Sequence, residues 1–241
     1  MNKANPNEII DDFEKSTKLA LKDWQSTDKL LSNAHKDDRL RLRRRLASDS
    51  FLALSISWES FMSAWFVAAL NRDPSQALIT NTNRMREFAI HDLRIPSSVV
   101  ATKLFTTSHL NLENTRGMLD PNGYNITMSN RNDFKKKANR WLAGDYRLVA
   151  TAVTTVEYSP ALLGRLVRNA FAHQSESALA AANTAVRSTS MAPDFRITTV
   201  SNLGVSGWRA YTRQEVPPTN KSRVELFHTA LEDLATKLKT P

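Results

Sequence analysis

At 241 residues the chain can bury a core of its own, and its 41% hydrophobic and 24% charged residues exclude wholesale disorder. It has no cysteine, hence no disulfide, thiolate nucleophile or cysteine zinc site, which fits a reducing cytoplasm; its six glycines form neither G-x-G-x-x-G nor G-x-x-x-x-G-K-[ST], against Rossmann and P-loop readings. The formal net charge of +9 favours a polyanionic partner, because clustered Lys and Arg release the counterions condensed on nucleic acid; an acidic protein or an anionic membrane fits as well.

The start of the chain, Asn5-Pro6-Asn7-Glu8 followed by Asp11-Asp12, lacks the basic and apolar regions of a secretory signal and reads as mature protein. From Glu8 to about Leu31, Ile9, Phe13, Leu19, Trp24 and Leu30 are spaced for one side of a first helix. A second helix is expected from Asp37-Asp38, whose carboxylates suit a helix N-terminus, to about Leu70. Within it Phe51, Leu54, Trp58, Phe61, Trp65 and Ala68 alternate by three and four, a packing seam, with Leu52, Ile56, Met62 and Phe66 beside it. Such a stretch has the length of a membrane span, but the carboxylate of Glu59 at its middle argues against one, so no membrane is expected.

Residues 74–91 are expected to be helical, and Pro96 opens a further segment through Phe105. Residues 108–130, with the turn signal Asp120-Pro121-Asn122-Gly123, read as a loop-rich insertion. Helix returns from Asn132-Asp133 to Leu142 and resumes after Gly144 toward Glu157, although Thr151 to Val156 is β-branched enough for a strand. Ser159-Pro160 predicts a helix start, as an N-cap followed by proline. Arg196 to Val200 and Val205 to Tyr211, around Asn202-Leu203-Gly204, read as a β-hairpin, and Pro217-Pro218 precedes a last helix from about Thr219 to Lys239.

An arginine followed five residues later by a histidine occurs at Arg168/His173, Arg86/His91 and Arg223/His228, so spacing alone does not choose a site. Context does: Arg168-Asn169-Ala170-Phe171-Ala172-His173 follows the apolar run Ala161 to Val167 and carries an Asn after the Arg and a small residue before the His. This R-N-x-x-A-H segment closing a helix resembles the signature of the HEPN superfamily, and Ser57-Trp58-Glu59-Ser60-Phe61 resembles the W-E-x-F element of its RiboL-PSP-like branch. His91 and His228 lack that context and are expected to be packing or surface residues.

The resemblance implies a mainly α fold, a HEPN-like helical bundle over residues 1–190, with the 191–218 hairpin as an appendage and the 219–241 helix packed on the same domain. It also implies a homodimer in which two motifs face one cleft, and a metal-independent endoribonuclease that needs no cofactor. Such an enzyme fits a toxin of a toxin–antitoxin or phage-defence system, with an antitoxin or defence-system protein as partner; the alternative is a non-catalytic RNA- or protein-binding module.

In chemical terms His173 is the candidate general base for a ribose 2′-OH, Arg168 the bidentate stabiliser of the phosphorane, and Asn169 a support for imidazole or phosphate. Asn169 and His173 lie about 40° apart on a helix, whereas Arg168 and His173 lie about 140° apart. Convergence therefore requires the helix to end near Ala172 so that His173 turns, or the arginine of one protomer to serve the histidine of the other.

Glu59, among aromatic residues, needs a partner; it orients Arg168 or His173, forms a structural ion pair, or occupies a solvated edge position. Arg39, Arg41, Arg43, Arg44 and Arg45, with Lys135, Lys136, Lys137 and Arg140, are candidate RNA contacts of electrostatic character, without interleaved aromatics for base stacking. No histidine falls in an H-E-x-x-H spacing, so no metal site is expected.

Overall fold

The structure, a computed structural model, describes residues 3–100, 111–119, 126–198 and 202–240. The described residues form ten helices and one short two-stranded sheet, a mainly helical fold. Helix α1 (Pro6–Leu31) is capped by Asn5, whose side chain accepts from the Asn7 N–H. It pairs antiparallel with α2 (Lys36–Arg72): Phe13 stacks on Phe61 at 4.4 Å near one end, and Asp28 meets Arg43 near the other. The buried stripe of α1 is Ile10, Phe13, Thr17, Trp24 and Asp28. Leu19 is 61% and Leu30 72% exposed, contrary to expectation, because both are rotated off the stripe that recurs at three and four residues.

Helix α2 is the central element. Its expected seam is buried throughout, and Met62 and Phe66 are buried beside it, while Ile56 faces solvent. Among the described helices α2 alone is long and apolar enough to cross a membrane, and more than half of its most apolar stretch is buried. Each large seam side chain removed from water contributes roughly 1.5–3 kcal/mol. Helix α3 (Ser75–His91) follows, tied to α5 (Arg131–Trp141) by the Thr80 hydroxyl, which donates to the Arg140 carbonyl at 2.8 Å.

The segment read as a loop insertion contains α4 (Leu112–Leu119), anchored where Asn71 on α2 donates to Thr115. Asp120 to Gly123, and the end of the expected segment at Phe105, fall outside the described residues. Asn130 caps α5, and α6 (Gly144–Ala152) begins at Gly144, whose φ of 49° favours glycine.

Helix α7 (Thr155–His173) starts earlier than Ser159-Pro160 predicts, and the Thr151 to Val156 stretch is not a strand. Thr154 and Glu157 form a reciprocal capping box, and this stronger start leaves Pro160 inside the helix. Proline cannot donate to the Val156 carbonyl; the Ser159 hydroxyl does so instead, at 2.7 Å. Further along, a Cβ on Gly164 would lie 2.7 Å from Phe227 and 2.8 Å from the Ser55 hydroxyl, so only glycine lets α7 approach α2 and α10 this closely.

Helix α8 (Glu176–Arg187) follows a short turn. The expected hairpin at 196–211 is replaced by α9 (Val205–Arg213), because Trp208, Tyr211 and Thr212 recur at helical spacing and bury one face. The two-stranded antiparallel sheet lies just beyond, pairing Glu215–Val216 (β1) with Lys221–Ser222 (β2). Ser222 and Glu225 form a second capping box that starts α10 (Arg223–Thr236). Helix α10 runs antiparallel to α1, joined by Gln25–Glu225 and Lys239–Asp11, and its Phe227 stacks on Phe51 at 3.9 Å.

Candidate functional site

The two short sequence elements meet. Glu59 leaves α2 between the buried Trp58 and Phe61, and its Oε2 accepts from the Arg168 guanidinium on α7, a half-buried ion pair that links positions 109 residues apart. The packing explains the meeting: Gly164 brings α7 against α2, and Arg168 follows one turn later. The partner Glu59 needed is therefore Arg168. Its second oxygen, Oε1, is buried and has no hydrogen-bond partner among the described residues.

His173 is the last residue of α7 and is exposed. Gln174 terminates the helix in the left-handed conformation, φ 49°, with its N–H on the Ala170 carbonyl. The helix thus ends one residue past Ala172, with His173 still within its last turn. Within one chain Arg168 and His173 are separated by about 140° around a continuous helix and about 7.5 Å along it. Asn169 is half-buried, and neither it nor His173 makes a side-chain hydrogen bond among the described residues.

The other two arginine–histidine pairs have different surroundings. Arg223 is 6% exposed; it donates to the Asp194 carbonyl and to Gln214, and lies 4.3 Å over the Tyr211 ring. Burial pulls its pKa down. His228 is 1% exposed, with Nε2 3.2 Å from the Ser50 hydroxyl, and burial lowers its pKa to about 4, only partly offset by Thr17 and Glu225. His91 is exposed at the end of α3, and Arg86 is half-buried.

The basic run divides by partner. Arg43 donates through Nε and Nη2 to Asp28 at 2.8 and 2.5 Å, and Arg213 of α9 reaches the same carboxylate at 3.1 Å. Burial alone would raise the Asp28 carboxyl; the Arg43 hydrogen bonds and the Arg213 charge reverse this and leave its pKa below the ordinary value. Arg43 is therefore a packing residue rather than a free RNA contact. Arg41 pairs with Asp38 at 2.7 Å and Arg45 with Asp49 at 3.6 Å, both exposed, while Arg44 is exposed with no acidic partner among the described residues. Arg39 is exposed and donates to the Ser32 carbonyl.

In the second run, Lys137 is committed to Asp133 at 2.7 Å and the Thr127 carbonyl at 3.0 Å, again a structural use. Lys136 is exposed, Lys135 half-buried, and Arg140 lies over Trp141 at 4.5 Å. Sequence reasoning passed over two residues. Asp28 has no local pattern linking it to Arg43. Arg165, one turn before Arg168, lines a small cavity together with Glu59; its three-residue spacing from Arg168 was the available signal.

No family model, no curated protein and no solved structure matches this chain.

Proposed function

We propose that the chain is a metal-independent endoribonuclease of HEPN type, active as a homodimer in the cytoplasm and serving as a toxin of a toxin–antitoxin or phage-defence system. The observation that carries this reading is the Glu59–Arg168 contact: the two elements that resemble the family meet at one point, with an exposed histidine closing the same helix. The continuation of α7 through His173 favours a composite site, in which Arg168 of one protomer serves His173 of the other.

In that site the His173 imidazole takes the proton of a ribose 2′-OH, and the 2′-oxygen attacks the adjacent phosphorus. Arg168 stabilises the phosphorane by bidentate hydrogen bonds, with Asn169 holding the phosphate or the imidazole. The bond from phosphorus to the 5′-oxygen breaks, leaving a cyclic phosphate, and His173 of the second protomer protonates the leaving oxygen. Arg44 and Lys136, exposed and without acidic partners among the described residues, attract the RNA backbone, aided by Arg41, Arg45 and Lys135.

A regulating partner protein follows from the harm a freely active ribonuclease would do to its host. The engagement of Arg168 by Glu59 favours one rival, a binding module in which this pair is purely structural. Expression of wild type, Arg168→Ala and His173→Ala, followed by growth and RNA integrity, separates the two. The enzyme predicts RNA loss with wild type alone; the rival predicts that all three behave alike. Cleavage that EDTA abolishes, or equal cleavage of DNA, contradicts the mechanism.

A further inference from the structure

Glu59 and Arg165 line one cavity of about 10 Å³, walled by Trp58, Met62, Met128 and Tyr158. That space admits no more than one water and holds no larger ligand. Each of these two residues has a buried polar atom without a hydrogen-bond partner among the described residues: Oε1 of Glu59 and Nε of Arg165. A buried carboxylate oxygen left unpaired is costly, and the cation that shares its cavity is Arg165. Arg165 and Arg168 project from one face of α7, one turn apart.

We propose that Arg165 is a positioning residue that exchanges with Arg168 at Glu59. This rests on the ribonuclease reading for its purpose, although not for its test. In the free protein Glu59 holds Arg168. An RNA phosphate that draws the Arg168 guanidinium away would otherwise strand a half-buried carboxylate; Arg165 closes on Oε1 instead, so that Arg168 transfers to the phosphate without leaving a charge unpaired. Glu59 thereby acts as the resting partner of one arginine and the working partner of the other. No bond is made or broken; only the hydrogen-bond partner of the carboxylate changes.

The test is a double-mutant cycle between Glu59→Gln and Arg165→Met, measured by urea unfolding in the wild-type and Arg168→Met backgrounds. In the wild type the coupling is small; with Arg168 removed it rises to about tenfold in the unfolding constant. Coupling that is the same in both backgrounds overturns the exchange. Should Arg168→Met fail to fold, Arg168→Lys, which loses the planar fork, takes its place.

A second readout uses a 2′-O-methyl RNA that cannot be cleaved. Arg165→Met weakens its binding several-fold, and adding Glu59→Gln restores it, since the carboxylate no longer retains Arg168. Weakening without such rescue overturns the proposal. Failure of the ribonuclease reading is seen separately, as wild-type protein that leaves cleavable RNA intact while the unfolding cycle still reports exchange.

Discussion

Arg168/His173 on α7 and Arg223/His228 on α10 share one spacing and have opposite fates. On α10 both side chains are buried and bound to neighbours inside the core: the guanidinium on Asp194, Gln214 and the Tyr211 ring, the imidazole beside Ser50. On α7 the histidine is exposed at a capped helix end, and the arginine is half-buried on a single carboxylate. A spacing defines only an angle around a helix. Which face that angle meets, core or solvent, decides whether the residues hold the fold together or remain available for chemistry.

This contrast is open to attack from several sides. The largest expected effect is on activity: His173→Ala and Arg168→Ala each lower RNA cleavage by about 10²–10⁴-fold. His173→Ala does so with an unchanged melting temperature, whereas folded His228→Gln cleaves at the wild-type rate. Cleavage assays paired with thermal melts check this.

Next is pH. His228 titrates at about 4 when folded against 6.5 when free, so its folded pKa is depressed. As pH falls from 6.5 toward 4 the unfolded chain binds a proton that the folded chain refuses. The His228 contribution to stability is lost across that window, by up to about 3 kcal/mol, and levels off below it. Urea unfolding at a series of pH values should show the slope in the wild type and a shallower one in His228→Gln, most clearly above about pH 5, where the carboxylates do not yet titrate.

Arg223→Ala leaves the Gln214 and Asp194 acceptors without their donor and should destabilise the protein by about 1–3 kcal/mol. Gly164→Ala forces its Cβ against Phe227 and Ser55, and should destabilise by a similar or slightly smaller amount, about 1–3 kcal/mol. Because it also moves α7 away from α2, cleavage should fall in the folded Gly164→Ala protein, through loss of the Glu59–Arg168 geometry. An unaffected rate would detach that contact from function.

The helices of the first half were legible because their apolar periodicity is long: the seam from Phe51 to Ala68 is buried as its spacing requires. Errors arose where two local signals competed. The capping box of Thr154 and Glu157 overlaps the β-branched run Thr151 to Val156 and competes with the start signal of Ser159-Pro160; the Ser159 hydroxyl that accommodates Pro160 is a three-dimensional remedy. The stretch Val205 to Tyr211 followed a glycine turn and looked like a strand, yet Trp208 and Tyr211 are one helical turn apart.

At the candidate site, the need of Glu59 for a partner was readable from its aromatic neighbours, and Arg168 is one of the two residues the sequence offers. The commitment of Arg43 to Asp28, and of Lys137 to Asp133, was not read, although the latter is a four-residue pair within one helix. For Arg43 no local rule applies, since the contact depends on how α1 folds back along α2.

The most direct measurement of the central claim, a site shared between protomers, mixes two variants that are inactive alone. Arg168→Ala and His173→Ala protein are unfolded and refolded together, and RNA cleavage by the mixture is compared with wild type. Half of the dimers are then mixed, and each mixed dimer holds one intact Arg168–His173 combination. The account predicts activity well above either variant alone and at most about a quarter of wild type, because each mixed dimer lacks one of the two His173 side chains. A mixture that stays as inactive as its components, beside active refolded wild type, contradicts it.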